Sequence, residues 1–102
     1  MPQRHRLASV SDLADGQGRE FVVEGRIIAL FRIGDRFLAL DGICPHAGGP
    51  LARGTISNCM VTCPWHGWQF HLETGQHVLN PRLQQSAFPL IVDGVEIFID
   101  FP

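Results

Sequence analysis

The sequence is poor in the features that would mark a secreted, membrane or nucleic-acid-binding protein. It has only three cysteines, Cys44, Cys59 and Cys63. That number is odd and too small for the disulfide framework of a small secreted scaffold, so a reducing compartment, in which thiols more often hold metal, is expected. Long apolar runs are also missing. The longest aliphatic stretch, Ile27 to Phe31, is far short of the roughly 18 residues a membrane helix needs. The opening MPQRHRLASV has no apolar core of a signal peptide. A soluble, cytoplasmic protein with no membrane partner is the expectation. Nor is there a basic run: the eight Lys and Arg are spread along a chain of net charge −2 and pI near 6.2. Such a chain offers no field for phosphate backbones, so nucleic acid is not an expected partner.

Helical periodicity is nearly absent as well, and alternation takes its place. With 102 residues, 45% hydrophobic and 18% charged, the chain has the apolar content of one packed domain spanning residues 1–102. Strands are expected near Arg6 to Val10, over Glu20 to Glu24, Arg26 to Ile33 and Arg36 to Leu40, the last two joined at Gly34-Asp35. Ser11 to Gly16, with a Ser cap and a Gly stop, predicts a single helical turn. Thr55 to Thr62 predicts a hairpin turning at Ser57-Asn58, Trp68 to Leu72 a further strand before the Glu73-Thr74-Gly75 turn, and Ala87 to Phe101 a hairpin turning at Asp93-Gly94. Loops are expected at Asp41 to Arg53, Cys63 to Gly67 and Leu79 to Gln85. The fold class is therefore all-β: short antiparallel strands with two or three loops projecting at one end.

The chemistry concentrates in two of those loops, Cys44-Pro45-His46-Ala47-Gly48-Gly49-Pro50-Leu51 and Cys63-Pro64-Trp65-His66-Gly67-Trp68. Each pairs a thiolate with an imidazole, as C-x-H and then C-x-x-H, so two tight turns could bring two sulfurs and two nitrogens to one point. Soft sulfur with borderline nitrogen selects zinc or iron–sulfur chemistry over calcium or magnesium. Pro45 and Pro64 each remove a backbone N–H after a cysteine, while Gly48, Gly49 and Gly67 permit close approach and unusual dihedrals. Zinc fingers favour paired C-x-x-C and H-x-H spacings that feed a helix; here each loop mixes its ligands and sits between strands.

At these residues the sequence resembles the Rieske family of iron–sulfur proteins, and at this length its ferredoxin branch, the electron carriers of bacterial multicomponent oxygenases. The resemblance covers essentially the whole chain. It implies one 2Fe-2S cluster, with Cys44 and Cys63 on a buried iron and His46 and His66 on the outer one. It also implies stacked antiparallel sheets in which a cluster-binding subdomain, about 42–83, is inserted in a base formed by about 1–41 and 84–102. Two ferric ions, two sulfides and two thiolates sum to a formal charge of about zero, whereas four thiolates would give about −2, so reduction is easier than in an all-cysteine site. Rieske centres accordingly span about −150 to +300 mV, against about −400 mV for plant-type ferredoxins. Family members of respiratory complexes carry an extra cysteine in each loop, forming a disulfide, and a Ser and a Tyr that donate to cluster sulfurs. Here Gly49 and Trp65 stand at the cysteine positions, Trp68 at the serine position and Phe70 at the tyrosine position, and the chain has no Tyr. A potential near the low end is the expectation, as suits reduction by a flavoprotein.

The implied function is an electron-transfer component rather than an enzyme. It would take electrons from an NAD(P)H-dependent flavoprotein reductase and pass them to a terminal oxygenase by transient docking at the histidine face. The alternatives are the small subunit of an NAD(P)H nitrite reductase and a redox-sensing or zinc-stabilised module. Of the remaining residues, Cys59 reads as a buried small hydrophobe in a strand hairpin, and His5, His71 and His77 as surface or turn histidines. Trp68 and Phe70 read as core, Trp65 as a docking contact or a shield, Arg53 as solvated, and Leu51 and Pro81 resemble the family positions that cover the cluster.

Overall fold

The computed structural model describes residues 3–44, 48–65 and 67–101. Its strands are β1 (Gln3–Ser9), β2 (Gly18–Val23), β3 (Arg26–Ile33), β4 (Arg36–Asp41), β5 (Thr55–Ser57), β6 (Met60–Thr62), β7 (Gln69–His71), β8 (Ala87–Phe88), β9 (Leu90–Asp93) and β10 (Glu96–Phe101). They form three antiparallel sheets, ordered β1-β10-β9, β2-β3-β4-β8 and β5-β6-β7. The described helical structure is limited to two short 3-10 turns, Val10–Asp12 and Leu51–Arg53. No helix among the described residues is long and apolar enough to cross a membrane.

The β2-β3-β4-β8 sheet lies between the other two, which explains the near-continuous apolar run in β3. Successive side chains of a strand point to opposite faces. Ile28 and Leu30 join Leu7, Ala39, Phe88, Ile97 and Ile99 in one core, while Ala29 and Phe31 join Leu40, Leu51, Val61 and Phe70 in a second. All four of these β3 residues are fully buried. The second core is the one that contains Cys44 and Cys63. Each loop is therefore anchored at its cysteine on packed side chains.

Three of the expected turns shift by a residue or two, each for a stated reason. The first helical turn begins at Val10 with Ser9 as its cap: Ser9 and Asp12 exchange reciprocal capping bonds, which Ser11 has no partner to make. The Thr55 to Thr62 hairpin turns at Asn58-Cys59, both left-handed at φ 51° and 59°, rather than at Ser57-Asn58. Asn tolerates that conformation, and the resulting register pairs Ile56 with Val61, which faces the core. The last hairpin turns at Gly94-Val95, placing Gly94 at the first central position with φ 61°, as a type II′ turn requires. The Gly34-Asp35 turn is found where expected, between the paired residues Ile33 and Arg36.

Candidate functional site

Each cysteine loop is closed by the same backbone hydrogen bond. The Cys44 N–H donates to the Gly49 carbonyl at 2.9 Å, and the Cys63 N–H donates to the Trp68 carbonyl at 2.7 Å. In both loops the residue before the acceptor is a left-handed glycine, Gly48 at φ 72° and Gly67 at φ 73°. Those angles are where a side chain would strain the backbone. The first loop is further pinned by Gly48 N–H to the Cys44 carbonyl and Leu51 N–H to the Gly42 carbonyl. Both closures join a cysteine to the residue five positions on, so the two loops share one local plan, with a cysteine entering each from the side of the core.

Both thiols are 1% exposed and neither is in a disulfide. Burial pushes the Cys63 thiol up, the Trp65 backbone N–H directed at its sulfur pulls it down, and the neighbouring Cys44 thiol pushes it up again. Two buried thiols side by side, with a backbone donor aimed at one sulfur, fit the thiolate end of an iron–sulfur cluster. Iron would displace their protons and take up the negative charge that burial otherwise disfavours. His46 and His66 lie outside the described residues. Among the described residues no three His, Cys, Asp or Glu side chains gather to hold a metal.

The positions resembling the family's extra cysteines are brought together. A Cβ built on Gly49 would lie 2.8 Å from Cys63 Sγ and 3.1 Å from Trp65 Cβ. Gly49 therefore leaves room for the sulfur, and Trp65 lies against it while remaining 50% exposed. Leu51 and Phe70 are fully buried in the second core; Trp68 is half-buried against the same core. Pro81 and Arg53 are exposed. His71 is exposed, and partly exposed His5 has its Nε2 3.6 Å from Glu24 Oε1.

Two expectations are corrected. His77 is not at the surface: it is 8% exposed, with its ring edge-on to Trp68 and Phe70 at centroid distances of 4.7 and 5.4 Å. Cys59 lies in the expected hairpin but at its turn, and it is only partly buried, packed against the second core. Its Sγ lies 3.6 Å from Glu73 Oε1, and burial together with Glu73 raises its thiol above the usual range. Sequence reading also missed Gln85, 5% exposed, whose side-chain amide donates to the Asp41 carbonyl at 2.9 Å and to that of Ile43. It thereby ties the third loop to the first. A glutamine amid loop residues carries no periodic signal that would have exposed this role.

An all-β domain whose two glycine-closed loops bury neighbouring thiols is a protein of the cysteine-ligated metal or iron–sulfur class. The Rieske [2Fe-2S] domain matches residues 3–98, and the chain belongs to that family. It holds one Rieske 2Fe-2S cluster. It is 35% identical over 94 residues to the ferredoxin component of the alkene monooxygenase system of Xanthobacter autotrophicus, covering 91% of this chain and 77% of that protein. Its structure is similar to the ferredoxin of carbazole 1,9a-dioxygenase from Nocardioides aromaticivorans, with TM-score 0.90 and 29% identity over 97% of this chain and 98% of that one. A chain in a complex of reduced oxygenase and oxidised ferredoxin of carbazole 1,9a-dioxygenase matches with TM-score 0.86 and 27% identity, over 95% of this chain and 92% of that one.

Proposed function

We propose that this chain is a cytoplasmic one-electron carrier that accepts electrons from an NAD(P)H-dependent flavoprotein reductase and delivers them to a terminal oxygenase. The observation that carries the reading is the pair of adjacent, unbonded, buried thiols on loops of matched closure. In this reading Cys44 and Cys63 hold one iron and His46 and His66 the other, and residues 42–83 form the cluster-bearing unit on a base of 1–41 and 84–102. Ferredoxin relatives matched over most of their length, and a related ferredoxin chain in complex with its oxygenase, support the choice of partner.

The bound cluster supplies reversible one-electron chemistry. The protein's share is to hold the thiolates in a dry core, to aim the Trp65 N–H at the Cys63 sulfur, and to present the opposite end to a partner. Trp65, half exposed on that second loop, is the docking contact. With Trp68 and Phe70 in place of hydroxyl donors, the added negative charge of the reduced state receives less hydrogen bonding, which places the potential near the low end of the Rieske span, about −150 mV.

Ultraviolet-visible and electron paramagnetic resonance spectra of anaerobically purified protein, before and after dithionite, test the cluster. A red-brown colour that bleaches and about two irons per chain are expected; a colourless protein with one zinc would refute the reading. A redox titration giving a midpoint well above zero would remove the low-potential claim. Rapid reduction by NADH through a flavoprotein reductase marks a shuttle, whereas stoichiometric co-purification with a large nitrite reductase chain would make it a fixed subunit.

A further inference from the structure

His77 lies outside both cysteine loops, yet it is the buried residue that joins the third loop to the second. Its Nδ1 accepts the backbone N–H groups of Leu79 and Asn80, each at 3.1 Å. With two donors facing Nδ1, the ring hydrogen sits on Nε2, which is buried and has no hydrogen-bond partner. The backbone is committed as well: the His77 N–H donates to the Leu83 carbonyl, and the next residue's N–H donates to Gln69 in β7. The ring meets Trp68 edge-on, and the Trp68 carbonyl is the acceptor that closes the Cys63 loop. An unbroken series of contacts thus runs from two third-loop amides, through the imidazole and the indole, to Cys63. Beside it the two loops line a cavity of about 350 Å³ that includes Gly67, Trp68, Leu79 and Leu83.

We infer that His77 is a positioning residue that locks the third loop onto the second ligand loop and, by excluding water there, keeps the cluster's reduction potential low. The inference about potential rests on the reading of Cys63 and His66 as ligands; the lock itself does not. An aliphatic side chain could fill the volume but would leave two part-buried N–H groups without an acceptor, a loss that costs more than the bond itself contributes. Asparagine would supply an acceptor near the position of Nδ1 but no ring against Trp68. Histidine does both. Adding an electron takes the cluster from a formal charge of about 0 to −1, a change that water at the cluster end would favour, so loosening the lock shifts the potential upward.

Two variants separate the two halves of this role. In His77→Phe, amide hydrogen exchange at Leu79 and Asn80 is expected to accelerate at least about tenfold, equivalent to ~1.4 kcal/mol, and the midpoint potential to move positive with the iron content unchanged. In His77→Asn, exchange at those amides stays within about threefold of the parent while the potential still rises, because the ring is gone. Unchanged exchange in His77→Phe would overturn the lock. A parental potential in both variants would overturn the water-exclusion role. If His77→Phe does not fold, the potential of His77→Asn decides. A parent protein that holds no cluster would refute the ligand reading instead, and the exchange comparison would still judge the lock.

Discussion

Cys63→Ser is expected to give a folded but colourless chain, its iron falling from about two per molecule to nearly none. The side chain sits in a core where it is 1% exposed, so a hydroxyl fills the same space with little steric change. The loop closure survives, because the Cys63 N–H to Trp68 carbonyl bond is made by the backbone. What is lost is the soft, polarisable donor: a buried serine oxygen binds iron poorly and gives up its proton far less readily than a thiol. Cys44→Ser should behave alike, and His66→Ala should abolish the Rieske spectrum. Cys59→Ser should retain full iron and an unchanged spectrum, since Cys59 lies at the β5-β6 turn beside Glu73. Iron assay and visible absorption of the four proteins check all of this together. Iron retained in Cys63→Ser, or lost in Cys59→Ser, would show that the ligand set is wrong. Removing the cluster should also lower thermal stability, because binding confined to the folded state adds to folding free energy.

The sequence was most legible where one physical rule governs many residues. β3 is found at its expected bounds because burial on both faces demands an unbroken apolar run, and Arg26–Ile33 is that run. The cysteine loops were legible because closing a turn around a metal needs Gly, Pro and Cys at fixed offsets, and these residues stand out against alternation. Turn positions slipped where two dipeptides competed. Ser57-Asn58 and Asn58-Cys59 are both acceptable turn sequences, and the core requirement of Val61 chose between them. His77 escaped for a different reason. It pairs with Phe70 through an isolated bridge rather than within a strand, so no alternating pattern announces that its ring points inward. Local sequence thus singled out the two loops whose buried cysteines lie side by side, while the contacts of Gln85 with the Asp41 and Ile43 carbonyls join segments distant along the chain.

The second large effect concerns how that third loop is held. Gly75→Ala is expected to destabilise the domain by about 3 kcal/mol or more, well above the usual cost of a surface substitution. Two costs combine. Gly75 has φ 80°, a left-handed angle at which a Cβ is strained by about 1–2 kcal/mol. That Cβ would also lie 2.1 Å from the Gln85 carbonyl oxygen, a backbone atom that cannot swing aside as a side-chain end could. Overpacking of this kind typically costs a further 1–3 kcal/mol. Gln85 cannot retreat cheaply, because its own N–H donates to the Gly75 carbonyl at 2.7 Å and its side chain holds the Asp41 carbonyl at 2.9 Å. Moving it would loosen the joint between the third loop and the first. Gly25→Ala supplies the control: φ there is 76°, close to that of Gly75, but nothing lies within 4 Å of the added Cβ, so only the strain remains. Thermal unfolding of the two variants against the parent should show a fall of about 12 °C or more for Gly75→Ala and about half that or less for Gly25→Ala. Equal falls would mean that backbone strain alone governs Gly75, and that the approach to Gln85 relaxes without cost.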